Sequence, residues 1–207
     1  IIVLGINDGH DCGAALIKDG KVIAAVQEER LSNIKHHSGI PERAIKEVYK
    51  IANIHPSETS AIAIVSLNRV YSPLEEYPLK VRIFEKIIPY VNSKTFVKAY
   101  VKVLHRFRPM KELKKIFFEL GIQDKEIFFV EHHLAHASCA YRTSPWGYDK
   151  PVLIMTADGA GDGVSSTVNI GEKGEIRRIA WSTLYDSLGN AFYSEITRYL
   201  GMKPWDH

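Results

Sequence analysis

Ile1-Ile2-Val3-Leu4-Gly5-Ile6-Asn7-Asp8-Gly9 opens the chain with an apolar run, rich in β-branched residues, that breaks at a turn. The same device returns at Val152-Leu153-Ile154-Met155-Thr156-Ala157-Asp158-Gly159. β-Branched residues favour a pleated, half-buried strand, and Asp-Gly favours the turn that ends it. Laying Asp8-Gly9 over Asp158-Gly159 also lays Gly13 over Gly163. Each copy therefore reads as a strand, an Asp-Gly turn, a further glycine and then a hairpin.

Outward from these turns the elements follow one another in a regular order. Residues 14–18 and 21–27 are apolar runs separated by Asp19-Gly20, a hairpin signal because the turn wants positive φ at both positions. Pro41 starts a helix whose stripe is Ala44, Ile45, Val48, Ile51 and Ala52. Residues 61–65 form a nearly apolar strand, as expected for a buried position. From 67 to about 121 the chain is rich in helix formers jointed by Pro73, Pro78, Pro89 and Pro109, with helices predicted over 93–107 and 111–120. A strand at 126–130 then feeds a helix that begins near Glu131 and ends before Pro145.

The pattern restarts with a strand at 152–157, a hairpin over 165–170 and 176–183, and a helix striped by Phe192, Ile196, Tyr199 and Leu200. The order β-β-β-α-β-(insert)-β-α predicts an α/β protein with the ribonuclease-H-like fold, doubled as in the actin/sugar-kinase superfamily. One complete copy spans residues 1–150 and carries the helical insert. The start of a second copy spans 151–207. The stretch Gly201-Met202-Lys203-Pro204-Trp205-Asp206-His207 is neither a polar tail nor a finished element, which reads as a piece of something larger.

Composition narrows the function classes. The 27 Lys and Arg against 24 Asp and Glu leave a net +3, too near balance for general nucleic-acid binding. Two cysteines, Cys12 and Cys139, build no disulfide framework, so a cytoplasmic, reducing setting is expected. No apolar run approaches the ~20 residues of a membrane-spanning helix. The charge is unevenly spread: between Lys80 and Lys115, eight Lys and three Arg face only Glu85 and Glu112. That stretch is either a solvated lysine-rich face or a basic lid that attracts an anionic substrate or partner.

Three constellations carry chemistry. In Glu131-His132-His133-Leu134-Ala135-His136, the i,i+4 pair His132 and His136 shares one helix face and converges on one ion, while His133 points about 100° away. Asp158, at the end of the second copy's first strand, supplies a third ligand unless it only caps its turn. Two imidazoles and a carboxylate with open positions suit iron(II), and manganese or zinc also fits. The glycine-rich turns form the second constellation, with Asn7, Gly9 and Asp11 in one and Gly159, Gly161 and Gly163 in the other. Backbone N–H groups of such turns cradle anions, here the phosphates of a nucleotide. His10 on the first turn either removes a proton from a hydroxyl or is simply solvated. The third stretch, Glu28-Glu29-Arg30-Leu31-Ser32-Asn33-Ile34-Lys35-His36-His37, offers Arg30 and Lys35 to an anionic group and Glu28, Glu29 and His36 to a polyhydroxylated substrate, or is a charged surface loop.

Five stretches together resemble the NodU/CmcH-type O-carbamoyltransferases: Leu4-Gly5-Ile6-Asn7-Asp8-Gly9-His10-Asp11, Gln27-Glu28-Glu29-Arg30-Leu31-Ser32, Lys35-His36-His37-Ser38-Gly39-Ile40-Pro41, Val130-Glu131-His132-His133-Leu134-Ala135-His136-Ala137 and Leu188-Gly189-Asn190-Ala191-Phe192-Tyr193. The likeness runs in order over the whole chain and corresponds to about the first third of such enzymes. It implies that carbamoyl phosphate and ATP give carbamoyl adenylate and pyrophosphate, largely in a C-terminal YrdC-like domain. The carbamoyl group then passes to the hydroxyl of a small-molecule acceptor in the actin-like portion, which holds a metal, iron being favoured. By motif, His132, His136 and Asp158 are implied as metal ligands, with a further carboxylate ligand outside this chain. His10 is implied to assist attack by the acceptor hydroxyl. Asp8 stands where some members of the family carry a lysine near the nucleotide. The alternatives are a transferase of the same superfamily acting on transfer RNA, and a non-catalytic module that binds nucleotide and metal.

Overall fold

The computed structural model describes residues 1–67, 110–146, 148–183 and 186–203. The helix expected over 93–107 and most of the basic stretch lie outside the described residues. The chain divides into two compact units, Ile1–Val130 and Glu131–His207.

The first unit is built on a five-stranded mixed sheet. Its strands are β1 (Ile2–Asn7), β2 (Gly13–Lys18), β3 (Lys21–Gln27), β4 (Ala61–Val65) and β5 (Glu126–Val130). They lie in the order β3-β2-β1-β4-β5. β1 pairs antiparallel with β2 and parallel with β4, and β4 pairs parallel with β5. The β2–β3 turn takes positive φ at both Asp19 (48°) and Gly20 (80°), as its Asp-Gly sequence predicts. α1 (Glu29–Ser32) is a single turn, α2 (Glu42–Ala52) follows it, and α3 is Met110–Glu119.

Alternation on β1, β2 and β4 sends Leu4, Ile6, Leu16, Ile62 and Ile64 into one core with Ala44, Ile45 and Val48 of α2 and Leu113, Ile116 and Phe117 of α3. Each fully buried Val, Leu, Ile or Phe among these contributes roughly 1.5–3 kcal/mol of hydrophobic stabilisation. The α2 stripe differs from expectation at one place: Ile51 is exposed and Tyr49 is buried. Tyr49 succeeds there because its hydroxyl meets Thr59 Oγ1 at 2.7 Å, so the buried phenol is hydrogen-bonded. Pro41 precedes the first helical residue rather than occupying it.

The second unit holds α4 (His132–Thr143) and a three-stranded antiparallel sheet, β6 (Val152–Gly161), β7 (Val164–Glu172) and β8 (Glu175–Thr183), in sequential order. α4 packs on β6 and β7. That packing places the division of the chain before α4, ahead of the boundary at residue 150 that the sequence suggests. A π-helical turn, Leu188–Tyr193, leads into α5 (Ser194–Tyr199). The stripe expected on this last helix is not a buried one: Phe192, Ile196, Tyr199 and Leu200 are all exposed, and Ser194 is buried instead. The widened turn breaks the helical phase on which the stripe was counted.

β6 also corrects the sequence reading. It does not stop at Ala157 but continues through Asp158, Gly159 and Ala160 to Gly161, with a register shift between Ala157 and Gly161. Gly161 pairs with Val164, so the turn itself is only Asp162 and Gly163, both at positive φ (54° and 81°). The expected loop over 158–163 is therefore mostly extended strand, and a bulge turns Asp158 toward α4.

Candidate functional site

α4 carries two stripes, and each has a separate task. His133, Ala137 and Tyr141 are buried at i, i+4 and i+8. His132 and His136 lie on the neighbouring face, one turn apart. Glu131 caps the helix by accepting the Leu134 N–H at Oε2 (2.7 Å), and Arg178 Nη2 donates to the same oxygen at 2.5 Å. Asp162, at the β6–β7 turn, accepts the His132 backbone N–H at 2.8 Å. The helix start is thus tied to the sheet by two carboxylates, both favourable at a helix N-terminus.

The side chains expected to hold a metal do meet. Asp158 Oδ2 lies 2.7 Å from His132 Nε2 and 3.4 Å from His136 Nε2. The two Nε2 atoms are 3.0 Å apart. Asp158 Oδ1 is held by the Gly159 N–H at 2.6 Å, which leaves Oδ2 to face both rings. The His132 ring is seated on Gly161: a Cβ there would fall 2.1 Å from the ring's Cγ. Gly161 is therefore a floor for the imidazole, a role that its place in a glycine-rich stretch did not suggest.

The donor set fits a divalent cation. Ligands bound at about 2.1 Å stand ~3.0 Å apart on an octahedron and ~3.4 Å on a tetrahedron. Two of the observed separations, 3.0 and 3.4 Å, match those values, and the third, 2.7 Å between His132 and Asp158, is the shorter spacing of a direct hydrogen bond. Two imidazoles and one carboxylate leave positions open, as a catalytic rather than a closed structural centre requires. The hydrogen bond from His132 raises its pKa, against the opposing effect of burial, and holds Asp158 well below the usual carboxylate range. Asp158 thus stays ionised, with the His132 proton as its partner where no cation takes that place.

Beneath this triangle runs a buried polar chain that sequence reasoning missed. His133 Nε2 donates to Val164 O at 3.0 Å, so its Nδ1 accepts from Thr156 Oγ1 at 2.8 Å. Thr156 in turn accepts from Thr167 at 2.6 Å, and Thr167 from Asn169 Nδ2 at 2.8 Å. One consistent direction of donation fixes the neutral tautomer of His133, and burial lowers its pKa. The signal was present as Ser165, Thr167 and Asn169 at period two, but alternation usually marks the polar face as the solvated one. Here the polar face is inside.

In the first unit the loop between β1 and β2 is organised by Asn7. Its Nδ2 donates to His10 O (3.0 Å) and Asp11 O (3.3 Å), and its Oδ1 accepts from Gly9 N (3.2 Å). His10 Nδ1 lies 2.6 Å from Asp11 Oδ2, and His36 Nδ1 lies 3.0 Å from Asp11 Oδ1. Asn7, Gly9, His10, Asp11 and His36 are thereby brought into one place. Glu28 takes no part in that surface. It is 3% exposed, and its carboxylate caps α2 by accepting from Ala44 N (2.8 Å) and Arg43 N (3.4 Å). Glu28 was expected to hydrogen-bond a polyhydroxylated substrate, but its buried carboxylate faces the first turn of α2. Glu29 accepts the His36 N–H at 3.1 Å and lies 3.7 Å from Arg30 Nε. Arg30 and Lys35 are exposed, as anion-binding side chains need to be. In the second unit Gly159 O accepts from Ser187 Oγ at 2.8 Å, and Gly163 forms the turn.

Residues 2–206 match the family described as carbamoyltransferase N-terminus. The chain is 33% identical over 197 residues to the nodulation protein NolNO of Sinorhizobium fredii, covering 95% of the chain and 26% of that protein. It is 29% identical over 205 residues to an uncharacterized protein of Methanocaldococcus jannaschii, covering 99% of the chain and 31% of that protein. The chain thus spans about a quarter to a third of the length of the curated relatives it matches. Among solved structures, YeaZ from Pseudomonas aeruginosa aligns with a TM-score of 0.43 at 15% identity, over 88% of this chain and 67% of that one. No helix among the described residues is long and apolar enough to cross a membrane. The family match extends over nearly every residue and includes the whole histidine segment; the chain belongs to the carbamoyltransferase N-terminus family, as the N-terminal portion of a NodU-type carbamoyltransferase.

Proposed function

We propose that the protein is an O-carbamoyltransferase. It activates carbamoyl phosphate with ATP as carbamoyl adenylate and transfers the carbamoyl group to a hydroxyl of a small-molecule acceptor in the cytoplasm. The observation that carries this reading is the convergence of His132, His136 and Asp158 in a chain of this family. The order β3-β2-β1-β4-β5, with β2 alone reversed beside the central β1, supports a ribonuclease-H-like first half, and the antiparallel β6-β7-β8 meander supports the start of a second.

His132, His136 and Asp158 would hold the cation, iron in our reading, with manganese or zinc also able to fit the donor set. When bound, it supplies positive charge for the carbonyl oxygen that becomes anionic on attack. The chain's own residues do the rest. His10 takes the proton of the acceptor hydroxyl as the oxygen attacks the carbamoyl carbon and adenylate leaves as AMP. Asn7, Gly9 and Asp11 in the β1–β2 loop, Gly159 near the end of β6 and Gly163 in the β6–β7 turn are the residues assigned to the nucleotide. Arg30 and Lys35 attract its phosphates, and Glu29 and His36 lie in the segment assigned to the acceptor. The remaining sequence of the longer protein supplies the YrdC-like domain that makes the adenylate.

The test uses the full-length protein with ATP and carbamoyl phosphate. Pyrophosphate release and a carbamoylated product are expected, with an aminoglycoside and a chitin tetrasaccharide as probe acceptors. Stoichiometric ADP with a phosphorylated sugar would make it a kinase. Retention of transfer RNA without use of carbamoyl phosphate would move it to the tRNA-modifying branch of the superfamily.

A further inference from the structure

We propose that Asp11 and His36 are positioning residues for His10: one carboxylate bridges two imidazoles and fixes which nitrogen of His10 accepts the proton. This rests on the reading of His10 as the base in carbamoyl transfer.

The geometry is specific. Asp11 Oδ2 faces His10 Nδ1 at 2.6 Å, and Asp11 Oδ1 faces His36 Nδ1 at 3.0 Å. The rings stack with centroids 5.5 Å apart and planes 28° from parallel. An ionised carboxylate only accepts, so each Nδ1 must carry a hydrogen. In neutral His10 the basic lone pair is then on Nε2. Transfer proceeds with that atom taking the acceptor's O–H proton while Nδ1–H stays on Asp11, which stabilises the imidazolium formed. The new bond joins the acceptor oxygen to the carbamoyl carbon, the bond from that carbon to the phosphate oxygen breaks, and Nε2 later returns its proton to solvent.

The surrounding chain is shaped to hold this arrangement. Both Asp11 (φ 49°) and His36 (φ 56°) sit in the left-handed region, which a non-glycine residue keeps only where its surroundings hold it. Here they do. The Asn7 side chain grips the carbonyls of His10 and Asp11, and Glu29 accepts the His36 N–H. Two backbone bonds, Cys12 N to His37 O and Gly39 N to Gly9 O, join the loop to the segment bearing His36. Neither residue was assigned this role by its sequence, where Asp11 read as part of a nucleotide turn and His36 as an acceptor contact.

The test begins with the ring itself. Two-bond proton–nitrogen correlation spectra of the ¹⁵N-histidine-labelled full chain, taken where the imidazoles are neutral, should show His10 and His36 as Nδ1–H tautomers. Asp11→Asn and Asp11→Ala should release His10 to a mixture dominated by Nε2–H, with the melting temperature of at least one variant close to wild type. In the full-length enzyme, with the same probe acceptors, Asp11→Asn should lower kcat for transfer about 10²-fold or more, a larger change than in the acceptor KM. His36→Gln should lower it about tenfold, within the range of lost orientation rather than lost base. A wild-type His10 that is Nε2–H, or an Asp11→Asn variant with unchanged tautomer and rate, overturns the proposal. So does stoichiometric Mn²⁺ broadening of the His10 and His36 signals in a His136→Ala background, which would make the cluster a second cation site. If wild type carbamoylates neither probe, the transferase reading is what suffers, and the tautomer still decides the role of Asp11.

Discussion

Two clusters in this chain contain the same side chains, two histidines and one aspartate, and differ in how the carboxylate is used. Asp158 presents a single oxygen to two Nε2 atoms that are themselves 3.0 Å apart. Asp11 presents one oxygen to each of two Nδ1 atoms. Three donors aimed at one point are what a cation needs. A carboxylate split between two rings satisfies each with a hydrogen bond and sets its tautomer. The first arrangement comes from i,i+4 spacing on a helix, which forces convergence. The second comes from two loop segments, which leave the rings side by side.

The largest effect that separates the clusters is loss of metal. Asp158→Ala or His136→Ala should reduce bound iron, manganese or zinc from near stoichiometric to a small residue, measured by elemental analysis of the purified protein. Either change removes one of the three candidate ligands that converge among the described residues. Asp11→Ala should leave the metal content intact. Equal loss from both variants would mean the clusters share one site and would erase the distinction.

Gly161→Ala should sharpen it next. The glycine is not among those at positive φ, so alanine is conformationally admissible there. The penalty is steric, because the new Cβ would fall 2.1 Å from the His132 ring. Turning the ring away should weaken metal binding about 10–100-fold, the range seen when support around a ligand is disturbed. Overpacking should also lower stability by ~1–3 kcal/mol in a denaturant titration. Unchanged affinity would show that the ring reaches the metal without its glycine floor.

How much of this was readable beforehand depends on where the determinant lies. β3, β4 and β5 appear at the residues expected because apolar runs bounded by turn residues are local signals. The histidine pair was legible for the same reason, since helical spacing alone brings His132 to His136. Asp158 was found through its position at a strand end, although the strand then proved to continue past it. What escaped was set by tertiary contact. Nothing near Gly161 in sequence says that a ring from α4 rests on it. Glu28 looked like a surface acid until α2 brought the Ala44 N–H to it. The inward polar face of β7 defeated the pattern rule because Thr167 and Asn169 are satisfied inside, through Thr156 and His133, rather than by water.

Glu28→Ala tests the smaller architectural difference. It removes the cap of α2, for which about 1 kcal/mol is usual, and leaves the buried Ala44 N–H unsatisfied. The denaturation midpoint should fall accordingly. Because Glu28 adjoins the segment that carries His36, the His10 tautomer should become less uniform while metal content stays constant. A drop in metal content would show that the cap supports both clusters.

The least effect is a pH dependence of opposite sign with and without metal. In the metal-free chain the Asp158 carboxylate is stabilised and its pKa lowered, while that of His132 is raised. The depressed carboxylate contributes stability above its ordinary value of 3.8 and loses it as pH falls through the folded value. The raised imidazole contributes fully below its ordinary value of 6.5 and loses its share as pH rises through the folded value. Both contributions are therefore present together between 3.8 and 6.5, and the metal-free melting temperature should decline above that window. The loaded chain should do the reverse, because a proton on His132 competes with the cation for the same lone pair. Its melting temperature should rise over the range in which the metal-free value falls. Asp158 is partly exposed, so solvent screening keeps the metal-free shift small. Parallel curves for the two forms would mean that His132 does not bind the cation, and the convergence on Asp158 Oδ2 would then be no more than an ion pair.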